Sequence, residues 1–191
     1  MPSNRLLVFD TETGGLDPVK YSILSLGAVV WEDGRLGDKF NIFVAEPQPA
    51  VEAVALSVNH IDMDWLRQNG VSPDEAVKRF HLFLEKNFGS LPLKEGIPVA
   101  GHNVNFDVGF LKRLYSLTTY NYDEIFSHRV LDTAGILRFL IICGKLKLSS
   151  ASSNAAFEHF NISIDQGERH TALGDAIATA ELLTCMMELV K

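Results

Sequence analysis

Three strand-length apolar runs, all within the first 45 residues, constrain this chain more than any other feature. Residues 6–10 are short and apolar, as in a buried strand. Residues 13–18 are rich in turn formers. A second run covers residues 23–31, Glu32-Asp33-Gly34 offers a hairpin turn, and residues 39–45 alternate as a third strand. The three are expected to pair as an antiparallel meander.

Beyond that point the apolar spacing becomes helical. A short helix is expected over residues 62–68, with Asp62 as its cap. Ser72-Pro73-Asp74-Glu75 starts another, with a cap, a proline at the first position and acids in the first turn. Val77, Phe80, Leu84 and Phe88 mark its apolar face. Residues 98–101 and 129–132 read as short strands, followed by helices from near Asn105 and Thr133. Residues 150–160 are weakly helical. A last helix runs from near Thr171 towards Val190, on an apolar stripe of Leu173, Ala176, Ile177, Ala180, Leu183 and Met187. A meander followed by alternating strands and helices predicts an α/β fold, with a mixed sheet of about five strands flanked by helices.

With 191 residues, 47% of them hydrophobic, one domain over residues 1–191 with a substantial core is expected. The chain carries 17 basic and 24 acidic residues, a net charge of −7, and no basic run. A protein that wraps a long duplex presents a basic face, so that class is excluded. A nucleic-acid partner would instead be held over a short footprint, with cations offsetting phosphate charge. Cys143 and Cys185 belong to no spacing motif and are expected to be reduced core thiols. The chain runs directly into its first strand without a signal-peptide pattern. Its longest apolar stretches are too short to span a bilayer. A cytoplasmic protein with no membrane partner is expected.

The candidate chemistry lies in three places. Asp10-x-Glu12 ends the first strand, and residues two apart on a strand point the same way. Two carboxylates emerging together suit a hard divalent cation. Asp62 and Asp64 share that spacing, but they read as helix-start charge. Asp107 lies where a short strand, a polar loop and a helix start meet, in Gly101-His102-Asn103-Val104-Asn105-Phe106-Asp107. Thr171 is a natural helix cap, which puts His170 in the preceding loop and Asp175 on the early helix. Tyr115, Tyr120 and Tyr122 offer rings that stack bases or anchor a loop.

Taken in order, Asp10-Thr11-Glu12-Thr13, His102-Asn103-x-x-Phe106-Asp107 and His170-Thr171-Ala172-Leu173-x-Asp175-Ala176 resemble the motifs of the DEDDh, or DnaQ-like, 3′→5′ exonucleases. That family includes proofreading subunits of polymerases, oligoribonuclease and RNA-trimming enzymes. Ile23-Leu24-Ser25-Leu26-Gly27-Ala28-Val29 is similar to its second strand, and Asp132-Thr133 to its late strand-end motif. The resemblance covers about residues 5–190 and implies an RNase H-like fold. It also implies that Asp10, Glu12, Asp107 and Asp175 hold two Mg²⁺ or Mn²⁺ ions, and that His170 is the general base. The loop with Thr13, Gly14 and Leu16 would hold the terminal nucleotide, Leu16 wedging against its base, and Asn103 would help position the strand. The chain departs from the pattern at Gly14, where many members have a second threonine, and at Asn59-His60-Ile61, where many have a glycine before isoleucine. It departs again at residues 149–154, which replace a helix start that commonly bears leucine.

Independently of any family, hydrolysis of a phosphodiester brings a nucleophile to an anionic phosphorus and expels an alkoxide. Carboxylate-held ions and an imidazole, whose ordinary pKa is about 6.5, suit that task. The expected activity is 3′→5′ exonucleolytic release of nucleoside 5′-monophosphates from single-stranded DNA or RNA ends. The alternative is a binding or polymerase-associated proofreading module with little activity alone. A homodimer and a polymerase complex are both compatible with the sequence. A structural calcium protein is disfavoured, because the chain has no EF-hand-like loop.

Overall fold

A computed structural model describes residues 4–164, 167 and 169–190. Residues 1–3, 165, 166, 168 and 191 of the expected domain lie outside the described residues. Strands β1 (Arg5–Thr13), β2 (Ile23–Glu32) and β3 (Arg35–Phe43) form the meander, with β2 antiparallel to both neighbours. Strands β4 (Ile97–Gly101) and β5 (Phe126–Asp132) extend the sheet in parallel on the other side of β1, giving the order β3-β2-β1-β4-β5. The predicted turn closes the hairpin, with Asp33 and Gly34 both at positive φ, as a two-residue hairpin turn that follows the strand twist requires.

Helices cover both faces. On one, α3 (Pro73–Phe88) and α4 (Asn105–Ser116) pack on Leu7 and Phe9 through Phe80, Leu84, Phe110 and Leu114. The short α5 (Tyr122–Ile125) closes this side. Tyr115 stands edge-on to Tyr122 at 5.8 Å, so two of the candidate base-stacking rings anchor the loop between α4 and α5. On the other face, α6 (Thr133–Ile142), α7 (Ser153–His159) and α8 (Ala172–Glu188) pack on Val8, Val29 and Trp31. The remaining helices, α1 (Ala53–Asn59) and α2 (Met63–Asn69), lie beside the sheet end where Thr13 and Phe43 finish their strands. Asp62 caps α2, accepting from the N–H groups of Asp64 and Trp65 at 2.8 and 3.2 Å, and Asp64 pairs with Arg67. Both acids therefore have local work.

Four expectations are corrected. Strand β3 starts four residues earlier than expected and ends at Phe43, because its hairpin pairing begins at Arg35 opposite Glu32. Helix α1 was not predicted: its valines at positions 54 and 58 face outward, 74% and 51% exposed, so it has no buried apolar stripe to read. Helix α5 was also missed, since one turn is too short for a period to show. The cysteines are free but are not core residues: Cys143 is exposed and Cys185 half-buried. The end of α6 turns outward, leaving Phe139 and Ile142 exposed as well.

Candidate functional site

The site is assembled at the carboxyl ends of the parallel strands, the usual place for a ligand in an open α/β sheet. Alternation along β1 sends Val8 and Asp10 to the side covered by α8, and Phe9 and Thr11 to the side covered by α4. Asp10 pairs in register with Gly27 of β2, and Glu12 with Ser25. Gly27 is where α8 touches the sheet. A Cβ there would lie 2.1 Å from the Leu173 nitrogen and 2.2 Å from the Ala172 carbonyl carbon. The missing side chain lets the first turn of α8 rest on the strand beside Asp10. Thr171 caps that turn, its hydroxyl accepting from Gly174 N–H at 3.1 Å. Asp175, one turn on, thereby joins the two acids of β1. Oxygens of Asp10, Glu12 and Asp175 all lie within 4.8 Å of one another.

Asp107 comes from the other face. It is buried in the first turn of α4, and its Oδ1 accepts from Thr11 N–H at 3.0 Å and from the Thr11 hydroxyl at 2.7 Å. It stands outside the close trio but acts on it electrostatically. Burial pushes the Asp10 carboxyl well above the ordinary carboxylate range, and Asp107, Glu12 and Asp175 push it further. Burial, with Asp175 and Asp107, raises Glu12 to about 8. Burial raises Asp107 to about 7 against the two Thr11 bonds, which favour its charged form. Crowded, desolvated carboxylates take up either protons or cations at neutral pH. An all-oxygen donor set of this kind fits hard divalent ions.

His170 sits at positive φ (61°) immediately before the α8 cap. It lines a cavity of about 600 Å³ together with Glu12, Asn59, His60 and Trp65. A smaller cavity of about 210 Å³ also borders Glu12 and is lined by Thr13, Gly15, Leu16, Val54 and Val58. Leu16 is 82% exposed at its rim. Thr13 is the last residue of β1 and not a loop residue, and its hydroxyl donates to the Gly15 carbonyl at 2.8 Å. Gly14 turns inward, where a Cβ would lie 2.3 Å from the Ala50 oxygen, and its own N–H and C=O bond Ser22 and Glu52. Asn103 is exposed at φ 58° and lines neither of these cavities; its N–H donates to Asp132, which also caps α6.

The roles of four contributors escaped the sequence reading. Thr11 fastens Asp107, and a polar residue alternating into an apolar strand face was its signal. Gly27 admits α8. Asn59 ties α1 to the end of β1, its side-chain amide donating to the Thr13 carbonyl at 3.1 Å. Arg169 forms an ion pair with Asp175 and reaches Asn154 of α7.

Comparison with known proteins places the chain among relatives and among structures of like fold. Residues 7–183 match the RNase_T family model, described as "Exonuclease". The chain is 31% identical over 182 residues to a DNA polymerase III PolC-type of Oceanobacillus iheyensis, covering 94% of this chain and 11% of that protein. It is 32% identical over 188 residues to a DNA polymerase III subunit epsilon-like protein of Rhodobacter capsulatus, covering 97% of this chain and 24% of that protein. The chain thus spans a quarter or less of the length of these two relatives. Among solved structures, Escherichia coli Exonuclease I in complex with a dT13 oligonucleotide superposes with a TM-score of 0.76 at 16% identity, over 95% of this chain and 40% of that one. An Exonuclease I from Methylocaldum szegediense gives 0.74 at 20% identity, over 96% and 40%.

Proposed function

Because the chain belongs to the DnaQ-like exonuclease family, with its RNase H-like fold, we propose that it is a metal-dependent 3′→5′ exonuclease acting on single-stranded nucleic-acid ends. The observation that carries this reading is the convergence of Asp10, Glu12 and Asp175 within 4.8 Å, with Asp107 acting on Asp10 and Glu12 electrostatically and His170 lining the same cavity as Glu12. The four acids would hold two Mg²⁺ or Mn²⁺ ions. Bound there, the ions would offset phosphate charge and lower the barrier to water attack.

His170 accepts a proton from the attacking water in this reading. The water oxygen bonds to phosphorus as the bond to the upstream 3′-oxygen breaks, and that oxygen leaves with a proton from solvent. The product is a nucleoside 5′-monophosphate. Leu16, Val54 and Val58 present apolar surface beside Glu12, which suits the face of the terminal base. Gly14, held inside, shapes the backbone on which Thr13, Gly15 and Leu16 meet the nucleotide, and Asn103 would steer the strand behind it. Among the described residues no helix is long and apolar enough to cross a membrane.

Purified protein with Mg²⁺ or Mn²⁺ should shorten 5′-labelled DNA or RNA oligonucleotides stepwise and release label at once from a 3′-labelled one. Intact substrates of both kinds, beside a working control nuclease, would refute the proposal. A second reading is favoured by the two polymerase III relatives, in which the matching region is 11% and 24% of a longer protein. The chain would then be a proofreading module with little activity alone. A monomer on size exclusion with robust activity excludes it.

A further inference from the structure

The trio of acids attracts positive charge, and the chain itself supplies one beside it. The Arg169 guanidinium bonds Asp175 with one nitrogen and the Asn154 side-chain oxygen with the other, and it lies over the Phe157 ring at 5.4 Å from the centroid. Arginine stays protonated throughout the working pH range, and its planar fork serves two acceptors at once. The Arg169 and Asp175 side chains are only 23% and 15% exposed, so water screens the pair weakly. Asn154 and Phe157 both belong to α7, a different element from the one that carries Asp175. Neither of these two partners has to move when Asp175 changes partner.

We propose that Arg169 is a built-in counter-cation that competes with divalent ions for Asp175, holding the carboxylate in the ion-free protein and retiring onto Asn154 and Phe157 when the ions load. The inference rests on the reading of the cluster as a metal centre. Arg169 is a positioning residue here: it sets how readily Asp175 is released to the ions, and it keeps the acids from repelling one another before ions arrive.

The test is the sign of an affinity change. Calorimetric titration of both proteins with Mg²⁺, in the presence of no other divalent ion and at several fixed pH values, should show R169Q binding more tightly than the unaltered chain. The gain should be on the order of tenfold, the scale of one lost charge-assisted hydrogen bond. A merely structural role predicts the reverse, because a loosened cluster binds ions less well. Equal or weaker Mg²⁺ binding by folded R169Q overturns the inference and leaves the exonuclease reading standing. If the unaltered chain takes up no Mg²⁺, both fall. Should R169Q fail to fold, R169K carries the test. Lysine keeps the charge but lacks the planar fork that reaches Asp175 and Asn154 together, so its affinity should rise by a smaller factor, and no rise overturns the proposal.

Discussion

Under the proposed function Asp10 and His170 would do two different kinds of work. Asp10 is half-buried among other acids, so under the proposed function its value would lie in the charge it brings to a shared cation. His170 is held at a left-handed backbone position beside a helix cap and lies outside the close trio of acids. Their variants should therefore differ in kind. His170→Ala should lower turnover by about 10²–10⁴-fold, the ordinary contribution of a general base, while Mg²⁺ binding measured by calorimetry persists. Asp10→Asn should lose both activity and ion binding. Equal losses of ion binding in the two variants would mean that His170 is a ligand and not a base. Thr11 shows how a residue without chemistry of its own serves the site: both of its donors point at Asp107 Oδ1, fixing an acid that arrives from the opposite face of the sheet.

At the level of elements, the decisive contact is that of α8 on β2. The first turn of the helix rests where Gly27 has no side chain, and Asp175 reaches Asp10 only because of that approach. Gly27→Ala would drive a methyl group into backbone atoms of Ala172 and Leu173, which have no rotamer by which to yield. The helix must then lift. The expected cost is about 1–3 kcal/mol in denaturant unfolding, the usual range for overpacking. Activity should fall much further than stability, since a displacement of an ångström separates the carboxylates. Full activity in a stable Gly27→Ala protein would show that the cluster does not depend on this seat. Helix α1 makes a second point. Its outward valines contribute little to the core but supply the apolar wall beside Glu12. That wall is the kind of surface a stability argument alone does not explain.

For the whole molecule, the acidic cluster links folding to pH and to ions. Glu12 rises from 4.5 to about 8 and Asp107 from 3.8 to about 7 in the folded, ion-free protein. Groups whose folded pKa is raised hold protons that the unfolded chain has released. The stability they contribute is complete below the unfolded values and is lost as pH rises through the folded ones. Ion-free protein should therefore unfold at progressively lower temperature between about pH 4 and pH 8. Saturating Mg²⁺ should reverse the trend near the upper end, because ions bind the ionised carboxylates and binding releases protons. Thermal unfolding across that range, with chelator and with Mg²⁺, checks both slopes. An ion-free melting temperature that climbs steadily to pH 8 would contradict the raised values.

The three-strand meander, the caps at Asp62, Ser72 and Thr171, and the hairpin turn at Asp33-Gly34 were legible in the chain itself, because each depends on residues close along the sequence. The ordered motifs also pointed to the five candidate residues. Local rules could not reveal α1, whose apolar residues face outward, or the exposure of Cys143, because burial belongs to the packed molecule. Nor could they reveal that Thr11 holds Asp107, that Gly27 seats α8 or that Arg169 answers Asp175 across α7. The first two join segments 96 and about 145 residues apart, and the third depends on how two helices come together, so distances of this kind exist only once the sheet and its covering helices have formed.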